Sequence, residues 1–147
     1  LSGTGPVCRG GQDITITGEV SMSEQGAKVW FISDGYLVTP IGDDMTYKNH
    51  EAVCVINATD KDAHLEFDFY FADREPIKGV QVVVPAERCH HIRLDVPEQV
   101  GGYRIPLDTP YGLRICSDVP VVVQYTRMYH TTHNISLMTT MAHPLTG

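Results

Sequence analysis

A strict alternation of apolar and polar side chains over residues 64–71 constrains the fold more than any other stretch of the chain. The apolar members, which point to one side of an extended chain, are Leu65, Phe67, Phe69 and Phe71. Such a face must cover a hydrophobic core. An almost continuous apolar run at residues 52–56 precedes it, and turn-forming residues at 57–62 separate the two stretches. We therefore predict two strands that form a β-hairpin at the centre of a sheet.

Short strand-like segments separated by Gly, Pro and Asp fill most of the remaining chain. They lie at residues 28–32, 80–84, 90–95, 103–105, 113–116 and 119–128, and residues 135–141 fit either a last strand or a helical turn. No stretch shows the periodicity of an amphipathic helix. Even strand spacing of this kind is typical of sandwiches and barrels. We predict an all-β fold, a jelly-roll-like antiparallel β-sandwich of about eight short strands with little or no helix.

The length of 147 residues favours one domain, because single cores commonly form from roughly 100 to 200 residues. Residues 1–27 are rich in Gly and Ser, and we predict a flexible N-terminal extension there. Residues 14–17 within it alternate as an extra edge strand would. Residues 28–147 are predicted to form the single β-sandwich domain.

The net charge of −7 argues against a nucleic-acid partner, since phosphate binding needs clustered Lys and Arg. No apolar run approaches the roughly 20 residues of a membrane-spanning helix, so membrane insertion is not expected. The four cysteines are widely spaced, and Cys54 and Cys116 lie inside apolar strand patterns. We expect buried free thiols, which suit a reducing cytoplasm.

The seven histidines include two clusters, and neither has the geometry of a metal site. His90 and His91 point to opposite faces of a strand, and His130 and His133 share a face only in a helix. Exposed or hydrogen-bonded histidines are therefore favoured, and no metal or other cofactor is predicted. A metalloenzyme that uses these histidines stays open as an alternative.

Glu66 and Asp68 share one strand face, as the paired carboxylates of a glycoside hydrolase must. A solvated strand face has the same pattern and is the more common cause of it. The chain also has no nucleophile elbow, phosphate-binding loop or dinucleotide-binding motif. No catalytic residue is predicted, and the chain is interpreted as a non-enzyme.

A third group of side chains suits the binding of a small polar ligand. An aromatic ring stacks on the C–H faces of a polyol, while carboxylates, amides and guanidinium groups bond its hydroxyls. The candidate residues are Trp30 for stacking, Asp34, His50, Glu51 and Asp73 as hydroxyl partners, and Arg88, Gln124 and Arg127 as donors. Core packing for Trp30 and cross-strand ion pairs for each Arg are the structural alternatives.

Several motifs in a fixed order resemble the sensory rhodopsin transducer family. They include Val29-Trp30 with Asp34-Gly35-Tyr36, residues 50–57, Asp62-Ala63-His64, residues 73–76, residues 84–88, His91-Ile92-Arg93 and residues 117–127. The resemblance covers about three quarters of the chain. It implies a small cytosolic β-sandwich that forms a homotetramer and binds small molecules, with carbohydrate-like ligands suspected in bacterial relatives.

The leading hypothesis from residues and resemblance together is a non-enzymatic, oligomeric β-sandwich that binds a sugar-like ligand. The first alternative is a signalling adaptor that docks on a membrane sensory receptor or another protein, which predicts an exposed apolar patch. The second alternative is the histidine-dependent metalloenzyme.

Overall fold

The computed structural model describes residues 25–41 and 48–145, and the secondary structure within them is almost entirely strand. The strands are β1 (Ala27–Tyr36), β2 (His50–Asn57), β3 (Ala63–Phe71), β4 (Ile77–Val84), β5 (Arg88–Arg93), β6 (Pro110–His130), β7 (Ile135–Met141) and β8 (His143–Pro144). The short 3-10 helix Pro97–Gln99 is the only helical element of the described part. The predicted all-β fold is confirmed. The prediction for residues 1–24 lies outside the described residues.

The 21-residue strand β6 is shared by two sheets. Its N-terminal half pairs with β1 and β3 in the first sheet, which β4 and β8 extend at the edges. Its C-terminal half pairs with β2 and β7 in the second sheet, which β5 extends. All pairings are antiparallel, as predicted.

The sequence predicted two separate strands where β6 runs without a break. Pairing with β3 in the first sheet ends at Ser117, and pairing with β2 in the second begins at Val122. Pro120, which has no N–H to donate, lies in the passage between the two. The signals that resembled a turn therefore mark the place where one strand passes from the first sheet to the second.

The predicted central hairpin of β2 and β3 is wrong in its pairing, although both strands exist. β2 pairs with β5 and β6, whereas β3 pairs with β4 and β6, so the two strands lie in different sheets. The connection crosses from one sheet to the other and is held by the buried Asn57. Its amide Nδ2 donates to the carbonyl oxygens of Lys61 at 2.8 Å, Val84 at 3.1 Å and Pro85 at 3.2 Å.

The core lies between the two sheets. Leu65, Phe67 and Phe69 of β3 form part of it, as the alternation predicted, together with Val53 and Val55 of β2. The short strand predicted at residues 103–105 is absent, because those residues form an irregular segment after the turn at Gly101 and Gly102.

The expectation of buried free thiols is confirmed for Cys54 and is wrong for Cys116. Cys54 is a buried free thiol, whereas Cys116 is disulfide-bonded. Among the residues that the structure describes, no helix has the length and apolar character to cross a membrane.

Candidate functional site

Glu51 is a buried carboxylate at the start of β2, and donors from two strands, β1 and β6, surround it. Its Oε1 accepts hydrogen bonds from the backbone N–H of Tyr36 at 2.7 Å, from Nε of Arg127 at 2.9 Å and from the hydroxyl of Tyr125. Its Oε2 accepts a hydrogen bond from the hydroxyl of Tyr111. We call Glu51, Tyr111, Tyr125 and Arg127 the Glu51 cluster.

Both tyrosines of the cluster stay protonated and act as donors. Burial raises the pKa of Tyr111 well above its ordinary value, and the negative charge of Glu51 raises it further. The same two causes raise the pKa of Tyr125. Glu51 thus receives four donors within the protein and serves to hold the cluster together.

Arg127 connects the buried cluster to the surface. Its Nη2 donates to the backbone oxygen of Asp34 at 2.7 Å and lies 3.5 Å from Oδ1 of the same residue. The Asp34 side chain is 79% exposed, so its carboxylate keeps most of its acceptor capacity for an external group. Nη1 of Arg127 makes no hydrogen bond to any part of the chain that the structure describes.

A groove with a cavity volume of about 260 Å³ opens beside Asp34, between β1 and β7. Asp34 and Tyr125 contribute to its lining, together with Phe31, Thr140 and His143. Phe31 is 38% exposed and offers an aromatic surface. The groove thus combines a ring, a hydroxyl, a carboxylate and an imidazole in one open site.

Of the eight predicted site residues, the structure brings Asp34, Glu51 and Arg127 together. Trp30 is buried in the core and donates from Nε1 to the backbone oxygen of Ala27 at 2.9 Å. Gln124 lies on β6 between Cys54 and Met141, on the opposite face from Tyr125.

The other three predicted residues lie outside the cluster and do not line the groove. The ring Nδ1 of His50 is 2.8 Å from the backbone oxygen of Lys48. The exposed carboxylate of Asp73 pairs with its neighbour Arg74. Arg88 is exposed and donates to the backbone oxygen of Glu87.

Sequence reasoning did not select Phe31, Tyr111, Tyr125 or His143. Strand alternation gave a usable signal in two cases, because Phe31 must face away from the buried Trp30, and Tyr125 must share a face with Arg127. Tyr111 carried no such signal, since its contact with Glu51 spans 60 positions of the chain.

The expectation that Asp68 is solvated is wrong. Asp68 is buried and accepts hydrogen bonds from Nη2 of Arg114 at 2.6 Å and from the backbone N–H of Gly79 at 2.9 Å. An irregularity in the pairing of β3 with β4 at this residue lets its carboxylate bond the Gly79 N–H. A carboxylate held in this way is not poised for glycoside hydrolysis.

Across residues 25–41 and 48–145, no group of three or more His, Cys, Asp and Glu side chains has the arrangement of a metal site. His90 and His91 are both exposed on the edge strand β5 and face opposite sides of the sheet. The described histidines therefore give no support to the metalloenzyme alternative.

Comparison with known proteins identifies the family. The model of the family described as Anabaena sensory rhodopsin transducer matches residues 25–144. The crystal structure of Thermotoga maritima 1070 is 33% identical, covers 82% of this chain and 97% of its own, and has a TM-score of 0.71. The Anabaena sensory rhodopsin transducer is 37% identical, covers 74% of this chain and 93% of its own, and has a TM-score of 0.63. Among curated proteins, none matches. The chain therefore belongs to the Anabaena sensory rhodopsin transducer family.

Proposed function

We propose that this protein is a non-enzymatic small-molecule-binding protein and that the groove between β1 and β7 binds a polyhydroxylated, sugar-like ligand. One observation carries the proposal, namely that an exposed carboxylate, Asp34, and an exposed ring, Phe31, line the same groove. The ring can stack on the C–H face of a sugar, and the two carboxylate oxygens can accept hydrogen bonds from two of the sugar's hydroxyl groups.

The Glu51 cluster supports the proposal by making the groove rigid. Arg127 holds the backbone at Asp34, and Glu51 holds Arg127. A binding group whose position is set before the ligand arrives loses less conformational entropy on binding. In this arrangement Glu51 and Arg127 position the site, and Asp34 and Phe31 contact the ligand.

A calorimetric titration with a panel of sugars and polyols tests the groove, with thermal unfolding at high ligand concentration as a second measurement. We expect Asp34→Asn and Phe31→Ala each to weaken binding about tenfold or more. The first variant weakens a hydrogen bond to a charged group, and the second removes the stacking surface. Asp73→Asn is the matched control, because it removes an exposed carboxylate outside the groove. Unchanged binding by both groove variants, or no binding across the whole panel, would overturn the proposal.

We further propose that copies of this chain associate through the outer face of the second sheet, consistent with a homotetramer. The outward positions of β2, β5, β6 and β7 there hold no Asp, Glu or Lys. The apolar residues most exposed on this outer face are Ile56, Ile135, Leu137 and Met141. Exposed apolar patches of this kind are typical of interaction surfaces.

Light scattering on the full chain tests this association. We expect an oligomer for the wild type and smaller species for Leu137→Lys and Ile56→Lys. Val83→Lys is the control, because Val83 is an equally exposed apolar residue on the other sheet. A monomeric wild type would contradict self-association. The exposed outer face would then fit the adaptor hypothesis, in which it binds a different protein.

A further inference from the structure

A second cavity of about 280 Å³ lies at one end of the sandwich and shares no lining residue with the groove. Its walls are formed by loop residues that follow β1, precede β2 and follow β5, together with the irregular segment before β6. Leu37, Leu94 and Ile105 are buried in these walls, and Leu107 is 46% exposed. The cavity therefore joins an apolar interior to the solvent.

Within the described part of the chain, the charged residues that line this cavity are two cations, Lys48 and Arg104, and one carboxylate, Asp95. Nε and Nη2 of Arg93 donate hydrogen bonds to the two carboxylate oxygens of Asp95, at 2.7 and 2.9 Å. Nζ of Lys48 lies 3.2 Å from the same carboxylate. Burial alone raises the pKa of Asp95, but hydrogen bonds and charge from Arg93 and Lys48 outweigh it and keep the pKa below its ordinary value.

Arg104 supplies a second cation to the lining, and it is available to a ligand. It is exposed and makes no hydrogen bond or ion pair with any residue in the described part of the chain. A guanidinium group presents parallel N–H donors that match the two oxygens of a carboxylate. Because Arg93 already compensates Asp95, Arg104 and Lys48 favour an anionic head group at this site.

The apolar walls define the rest of the ligand. Among the described lining residues they consist of aliphatic and proline side chains, with no aromatic ring. A sugar would find no stacking surface there, whereas an aliphatic chain would exchange water for apolar contacts. The volume lies at the lower end of small-molecule sites, so the ligand must be compact.

We propose that this cavity binds a compact aliphatic carboxylate, with its carboxylate on Arg104 and its hydrocarbon chain against Leu37, Leu94 and Ile105. The proposal is independent of the sugar-like ligand, because the two sites have different linings and opposite preferences for ring stacking.

Hexanoate and its uncharged amide, hexanamide, are the probes that test this site on the full-length protein. Titration followed by methyl NMR should show hexanoate shifting the signals of Leu94 and Ile105. We expect hexanamide to bind at least about tenfold more weakly, because it lacks the charge that Arg104 recognises. Equal binding of the two probes, or shifts confined to Met138 and Met141 in the groove, would overturn the proposal.

Two variants separate recognition by Arg104 from general surface charge. Arg104→Gln should weaken hexanoate binding about tenfold, whereas Arg88→Gln, which removes an exposed arginine elsewhere, should leave it unchanged. Leu107→Glu places a negative charge at the exposed part of the cavity and should also weaken binding. Wild-type affinity in both cavity variants would refute the assignment.

Discussion

Tyr111 approaches Gly35 so closely that no side chain fits at position 35. A Cβ atom built there would lie 2.3 to 2.7 Å from three atoms of the Tyr111 ring. The ring is fixed on its other side by the hydrogen bond from its hydroxyl to Glu51. Glycine at position 35 is therefore a condition for the Glu51 cluster to form.

We expect Gly35→Ala to lower the free energy of unfolding by about 1–3 kcal/mol, the usual cost of overpacking. The displaced ring should also loosen Glu51 and so weaken ligand binding in the groove. Urea unfolding measures the first effect, and calorimetric titration measures the second.

Gly112→Ala is the control, because its Cβ would lie 3.6 Å from the nearest atom, an ordinary contact. A Gly35→Ala variant as stable as Gly112→Ala would show that the Tyr111 ring can move without cost.

At the scale of the element, Asn57 holds the connection between the two sheets. Besides its three donated bonds, its Oδ1 accepts from the backbone N–H and the hydroxyl of Thr59. The buried side chain therefore joins the end of β2, the connection to β3 and the end of β4. The side-chain amide of Asn57 thus donates hydrogen bonds to backbone carbonyl oxygens that would otherwise need water as a donor.

We expect Asn57→Ala to lower the free energy of unfolding by about 2–4 kcal/mol, because one buried and two partly buried carbonyl oxygens would lose their donor. Asn134→Ala in the exposed turn before β7 should change it by less than about 0.5 kcal/mol. Chemical denaturation of both variants is the measurement. Equal stability of the two would mean that water replaces the Asn57 amide.

The strands were largely predictable from sequence, but their partners were not. The alternation at Leu65, Phe67 and Phe69 reports which face is buried, because a strand face repeats every two residues. The same alternation does not indicate which strand pairs with β3. Closeness in sequence therefore favours a hairpin of β2 and β3, which the structure does not form. Pairing depends on contacts that span long stretches of chain, such as those of β6.

The candidate site was predictable only in part for the same reason. Asp34, Glu51 and Arg127 belong to three strands, and their meeting depends on the register of β6 against β1 and β2. The other five predicted residues have side chains suited to ligand binding, but they lie outside the Glu51 cluster and do not line the groove. The aromatic ring that lines the groove with Asp34 is that of Phe31 and not that of the predicted Trp30.

At the scale of the whole molecule, aspartates in ion pairs and hydrogen bonds make stability depend on pH. For both Asp95 and Asp118, burial raises the pKa, but the partners outweigh it and the net pKa is lowered. Those partners are Arg93 and Lys48 for Asp95, and His64 for Asp118. A lowered pKa in the folded state contributes stability that is present above the ordinary aspartate pKa and is lost as pH falls through the lowered value.

We therefore expect the urea midpoint to fall between about pH 5 and about pH 3, where the unfolded chain takes up protons more readily than the folded one. Asp95→Asn should be less stable at neutral pH and should lose less stability on acidification. Parallel midpoints for the variant and the wild type over this range would contradict the role given to Asp95.

Because β6 belongs to both sheets, neither sheet can be completed without the other. Each half of the strand gains its partners only after distant segments have come together, which gives the fold a high contact order and predicts slow, cooperative folding. The sandwich should not separate into two independently unfolding layers. Backbone amides in the middle of β6 should exchange with solvent only through global unfolding, so their protection measures the stability of the entire fold.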